Sequence, residues 1–158
     1  MKALRTPQRV VPVRVLLEDG RTVEGGFYAP AAGPDGGPGR LLDRLNDGLE
    51  EFVPLAGRYE TLISKAWMVT IQLPGDQEDA EGIESEVARE QRVRITLPRG
   101  KVVEGWIRYL MPEERGRLLD YLNTAPHFIP LVGENRITLV NRRFIVSVQE
   151  LTALSAVK

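Results

Sequence analysis

The chain has 158 residues, 42% hydrophobic and 27% charged, which is typical of a globular protein rather than a disordered one. It has no cysteine and a single histidine, His127, which excludes disulfides, thiolate nucleophiles, zinc–thiolate centres and polyhistidine metal sites. A formal net charge of −1 argues against avid non-specific binding to nucleic acid. The sequence has neither a membrane-length apolar run nor the apolar core of a signal peptide, so it predicts a cytoplasmic protein without membrane contact.

The chain opens with a predicted β-hairpin. Residues 11–17 are rich in Val and Leu and predict a strand, Asp19-Gly20 predicts a two-residue turn, and residues 22–28 predict the return strand. Gly25, inside the return strand, predicts a bulge or a sharp bend. The segment 30–39 that follows is rich in Gly and Pro, lacks the pattern of a phosphate-binding loop, and predicts a surface connection.

A short helix is predicted next. In Arg40-Leu41-Leu42-Asp43-Arg44-Leu45-Asn46 the leucines stand at i, i+1 and i+4, which places them on one helical face. Asn46 stands where the helix would stop, and Asn tolerates the left-handed conformation common there. Strands are predicted at residues 51–55, 61–64 and 67–73.

The same design then returns. Four blocks recur in the same order, offset by roughly 76 to 80 residues, which indicates a duplicated domain. The matching blocks are residues 13–25 with 93–105, 40–46 with 117–123, 52–55 with 128–131, and 61–71 with 138–148. The prediction is a mainly β chain of two tandem small SH3-like or Sm-like barrels, each β-β-α-β-β-β. Copy 1 spans residues 9–73, an acidic linker spans 74–91, and copy 2 spans 92–151.

Both copies keep the same polar residues on the helix. At a spacing of i and i+3, the Arg and the Asp can form a local ion pair, and the Asn can satisfy backbone groups at the helix end. Alternatively, the three side chains line a ligand site. The candidates are Arg40, Asp43 and Asn46 in copy 1, and Arg117, Asp120 and Asn123 in copy 2.

Two family resemblances rest on particular motifs. The pattern apolar-x-apolar-x-apolar-x-x-Gly-x-x-apolar-x-Gly, at residues 13–25 and 93–105, resembles the first motif of Sm-like barrels, which would imply RNA binding with Asn46 and Asn123 as the nearest candidates. Arg5-Thr6-Pro7-Gln8-Arg9 resembles the R-x-x-x-R arm of PilZ receptors, which would imply that Arg5 and Arg9 clamp a cyclic dinucleotide. The second motif of each family, D/N-x-S-x-x-G in PilZ, is absent from the sequence.

The chain is also similar to short bacterial β-barrel domains of unknown function that carry an R-x-x-D-x-L-N helix. No motif assembles a nucleophile, a base and oxyanion donors, so we expect neither an enzyme nor a cofactor. The functional prediction is a binding or adaptor module whose partner is another protein. Sensing of an anionic ligand and binding of RNA or DNA stay open as alternatives, and the chain is expected to be a monomer or a weak homo-oligomer. An adaptor should expose an apolar patch or a free strand edge.

Overall fold

The computed structural model describes residues 8–30, 40–77, 89–109 and 117–151. Within them the chain is mainly β, which confirms that part of the fold prediction. The strands are β1 (Gln8–Leu17), β2 (Thr22–Pro30), β3 (Phe52–Leu55), β4 (Thr61–Ser64), β5 (Met68–Pro74), β6 (Arg89–Thr96), β7 (Val102–Tyr109), β8 (Phe128–Gly133), β9 (Arg136–Asn141) and β10 (Ser147–Glu150). The helices are α1 (Leu41–Asn46) and α2 (Leu118–Thr124), and neither is long and apolar enough to cross a membrane.

Eight of these strands form one antiparallel sheet. Its order is β10-β6-β7-β8-β9-β5-β1-β2, so it runs through the first half of the chain (residues 8–77) and the second half (residues 89–151) without a break. The two halves meet where β5 pairs with β9, in a register that includes Ile71 opposite Leu139. Strands β3 and β4 form a separate two-stranded sheet, which a single bridge between Gly26 and Ala56 connects to β2.

The strands of the two halves follow the same order. In the second half that order is β10-β6-β7-β8-β9, and in the first half it is β5-β1-β2, continued to β3-β4 through the bridge. The bridge between Gly26 and Ala56 has its counterpart in Trp106 opposite Val132. Here and below, a counterpart is the residue at the matching position of the sequence repeat. Equivalent residues therefore make equivalent strand contacts.

Gly25 and its counterpart Gly105 are required because two backbone segments approach closely there, and not because the strand has a bulge. The β1–β2 register passes through Val13 opposite Gly25 without a shift. A Cβ atom on Gly25 would collide with the carbonyl oxygen of Ala56, and one on Gly105 would lie 2.7 Å from the carbonyl oxygen of Val132. Since no side chain fits there, glycine lets the chain at the third strand of each half approach the second strand closely.

The hydrophobic core is divided into two clusters, and each draws on both halves. The first contains the buried side chains of β1 and α1 together with Phe128 and Leu139 from the second half. The second contains the buried residues of β6 and β7 together with Val69 from the first half. The buried side chains at the junction therefore belong to the two core clusters, and the hydrophobic effect holds the halves together.

The segment predicted as an acidic linker is shorter than residues 74–91 at both ends. Pro74 closes β5 opposite Arg136, and β6 already begins at Arg89 opposite Tyr109. Antiparallel partners extend both strands, because each added residue satisfies backbone hydrogen bonds on a neighbouring strand. Residues 78–88 of the linker and 31–39 of the glycine-rich loop lie outside the described residues.

Candidate protein-binding surface

The matched Arg and Asp residues are partners of each other. The Nε atom of Arg40 donates to Asp43 Oδ2 at 2.9 Å, and that of Arg117 donates to Asp120 Oδ2 at 3.2 Å. Both are i,i+3 pairs at helix starts, one of the two arrangements that the spacing predicts. A role of these four residues in ligand binding stays a prediction.

The matched asparagines have different surroundings. Asn46 pairs with the backbone of Phe128 in the other half: its Nδ2 donates to the carbonyl oxygen at 3.2 Å, and its Oδ1 accepts from the N–H at 2.7 Å. This pair of hydrogen bonds fixes α1 on β8. Asn123 is exposed at the end of α2, and its amide has no hydrogen-bond partner among the described residues.

A further repeated contact was not predicted from the sequence. Lys65 Nζ donates to the carbonyl oxygen of Leu45 at 3.2 Å, and its counterpart Arg142 Nη1 donates to that of Leu122 at 2.9 Å. Each cation therefore caps the last turn of its helix, where unpaired carbonyl groups and the helix dipole favour positive charge. The matching positions of Lys65 and Arg142 in the repeat were the signal that could have revealed this contact.

The proposed phosphate clamp is described only in part. Arg9 lies in β1 opposite Ala29 and is half-buried. Arg5 lies outside the described residues. The hypothesis that Arg5 and Arg9 bind a cyclic dinucleotide stays a prediction.

A cleft of about 320 Å³ lies at the junction of the halves. His127, Lys65 and Asn141 line it. The buried Asn141 side chain donates from Nδ2 to the carbonyl oxygen of Met68 at 2.9 Å, which is a further side-chain bond between the halves. The Asn141 bond helps to hold the junction together. The part of the chain that the structure describes contains no cluster of acidic or His side chains able to hold a metal ion.

An exposed apolar surface lies beside β4, a strand with an open edge. Phe52, Leu62 and Trp67 are each more than half exposed, at 56%, 62% and 55%, and we call these three residues the head surface. In the described part of the chain β4 pairs only with β3, so its other edge presents backbone N–H and C=O groups.

A groove of about 540 Å³ runs along the head surface. Asp19 and Arg21 also line it and form an ion pair of 2.8 Å between Arg21 Nε and Asp19 Oδ2. The pKa of Asp19 lies below its ordinary value, because the backbone N–H and the guanidinium group of Arg21 both donate to the carboxylate. Apolar side chains, a free strand edge and one fixed charge pair together suit an extended peptide or a strand.

The counterparts of the head surface in the second half are covered. Phe128 is 2% exposed and Leu139 is fully buried, because β5 and the core of the first half pack against them. Phe144, the counterpart of Trp67, is half-buried. The sequence could not separate the two cases, since both halves present the same residue types.

Comparison of the chain with protein-family models, curated proteins and solved structures gave no match.

Proposed function

We propose that this chain is a non-enzymatic, cytoplasmic binding module that associates with another protein through the head surface. The observation that carries the proposal is the contrast between the open edge of β4 and the covered edge of β9. Edge strands with exposed apolar side chains pair readily with a strand from another chain, because main-chain hydrogen bonds give affinity and alternate side chains give specificity.

We also propose that each half is a small barrel of the SH3-like or Sm-like kind. The shared strand order and the glycine-dependent contact between the second and third strands support this. In such an arrangement function lies on an exposed edge or loop of a rigid scaffold. The head surface has this position.

Site-directed photo-crosslinking in cells tests the binding role. A photoreactive phenylalanine analogue replaces Leu62 or Trp67, and as a control it replaces Val102, which is 50% exposed on β7. We expect discrete protein adducts from the two head positions and none from the control. Adducts that are absent from all three positions, or equal at all three, would overturn the proposal. A thermal-shift screen with cyclic dinucleotides and short RNA addresses the two alternatives.

A further inference from the structure

The junction inside this chain is a heterologous contact. The fifth strand of the first half, β5, pairs with the fourth strand of the second half, β9. The counterparts of these two strands are β10 and β4. In the described part of the chain β10 pairs only with β6, and β4 only with β3, so the same two kinds of edge remain open, one in each half.

The end that carries β10 has its own exposed apolar residues. Leu119 on α2 is 55% exposed and Val146 is 67% exposed. Their counterparts in the first half, Leu42 and Val69, are 7% and 2% exposed, since both lie in the cores at the junction. We call Leu119, Asn123 and Val146 the tail surface.

The residues that correspond to the polar contact of the junction are exposed on both the tail surface and the head surface. Asn46 binds the backbone of Phe128 across the junction. The counterpart of Asn46 is the exposed Asn123, and the counterpart of Phe128 is the exposed Phe52. The tail surface thus carries the donor and acceptor groups of the junction, and the head surface carries the backbone that would receive them.

We propose that the head surface of one molecule binds the tail surface of a second copy, with β4 and β10 paired as β9 and β5 are paired within the chain. This inference rests on the proposed function, whose partner it specifies. Heterologous contacts of this kind form closed rings or open chains, depending on the rotation between units.

The internal register predicts the pairs. The internal pairs Thr70–Val140, Ile71–Leu139 and Gln72–Thr138 become Ser147–Ile63, Val148–Leu62 and Gln149–Thr61 between molecules. The next internal pair, Leu73–Ile137, becomes Glu150 opposite Glu60.

That last pair weakens the assembly in a testable way. Glu60 and Glu150 are both exposed, and like charges directly opposite each other on paired strands repel. Glu150→Lys should therefore tighten self-association by about fivefold, and Glu60→Lys should do the same. The double variant Glu60→Lys/Glu150→Lys restores a like-charge pair and should return association to the weak level.

Sedimentation velocity of the full chain over a range of concentrations tests the proposal. We expect the mass of the wild-type chain to rise with concentration. A head variant, Leu62→Asp, and a tail variant, Leu119→Asp/Val146→Asp, should each remain monomeric, because each has lost one of the two surfaces. Mixed in equal amounts, they should form a one-to-one dimer that grows no further, since each supplies the surface that the other lacks.

Several outcomes would overturn the proposal. One is a tail variant that still dimerises by itself, which would indicate a two-fold contact between head surfaces. Another is a wild-type chain and a Glu150→Lys variant that both stay monomeric at the highest soluble concentration. If in-cell crosslinks from Leu62 then join a different protein, the proposed binding role stands while self-assembly fails. All substituted positions are exposed, and thermal unfolding at low concentration checks that the variants are folded.

Discussion

Strands β4 and β9 occupy the same place in the sequence repeat, yet among the described residues the outer edge of β4 is open and that of β9 is covered. Both pair with the third strand of their half in the same register, Leu62 opposite Pro54 and Leu139 opposite Pro130. Leu62 is 62% exposed, whereas Leu139 is fully buried by β5 and the first core. The difference shows that a neighbouring strand, rather than residue type, decides whether such a leucine belongs to a core or to a binding surface.

Alanine substitution of Leu139 and of Leu62 should give the largest difference in stability between the covered edge of β9 and the open edge of β4. Leu139→Ala should lower the free energy of unfolding by about 2–5 kcal/mol, because it leaves a cavity in a packed core. Leu62→Ala should lower it by about 0.5 kcal/mol or less, as is usual for exposed positions. Urea denaturation of both variants at low concentration measures this. Equal losses would show that the β4 edge is also covered in solution.

The strand glycines should give a large effect that is the same in both halves. Gly25→Ala and Gly105→Ala should each lower the free energy of unfolding by about 1–3 kcal/mol, because the added Cβ collides with a backbone carbonyl of the third strand. Gly57→Ala is the control, since its Cβ would meet only the carbonyl oxygen of Tyr59 at an ordinary 3.7 Å. If Gly25 tolerated alanine and Gly105 did not, the β2–β3 contact would be looser than the β7–β8 contact.

The matched asparagines should differ by a smaller amount. Asn46→Ala should cost about 1–2 kcal/mol of unfolding free energy, because the N–H and C=O groups of Phe128 lose their partner. Asn123→Ala should leave unfolding at low concentration unchanged. Thermal unfolding monitored by circular dichroism compares the two. A loss of stability on Asn123→Ala in the monomer would mean that Asn123 already has a partner within the chain.

The smallest expected effect concerns a position at which the halves differ. Arg44 forms an ion pair with Glu50 at 2.9 Å, whereas its counterpart Tyr121 stacks on Tyr109 with ring centroids 5.1 Å apart. Burial raises the pKa of Tyr121, while nearby Arg142 opposes the shift. The neutral phenol is thus favoured in the folded chain. Its stabilising contribution is complete below about pH 10 and is lost as the pH rises through the raised pKa.

Tyr121→Phe should therefore make the melting temperature fall less steeply above pH 10 than in the wild-type chain, while the ring stacking is kept. The variant should keep part of this fall in melting temperature, because burial also raises the pKa of Tyr109. Melting temperatures between pH 8 and about pH 11 compare the two proteins. If the melting temperature fell equally steeply with pH in both proteins, the Tyr121 hydroxyl would be exposed to solvent.

Much of the local structure could be predicted from the sequence. The hairpin of β1 and β2 and the inward face of the helix at Leu41, Leu42 and Leu45 appear in the structure. The turn is longer than the predicted pair Asp19-Gly20, since residues 18–21 connect the two strands. These features depend on turn chemistry and on apolar spacing within a few residues. The role of Gly25 was predicted less well, because the carbonyl group that excludes a side chain belongs to a residue about thirty positions away.

The candidate site depended on long-range pairing. Asn46 and Asn123 both follow the pattern Arg-Leu-Leu-Asp-x-Leu, and only the approach of β8 to α1 gives the first a backbone partner. Likewise, Phe52 is exposed whereas Phe128 is buried, because β5 pairs with β9 beside Phe128. Such contacts lie beyond the range of periodicity and propensity, which describe a residue's immediate neighbours.

The sequence by itself therefore determined the strands, the short helices and the repeated positions, because turns, apolar spacing and helix ends are local properties. The tertiary structure decided which of the repeated edges is covered and which is open. Two halves with the same strand order can form the heterologous contact between them once. Among the described residues, the fourth strand of the first half and the fifth strand of the second therefore keep an open edge.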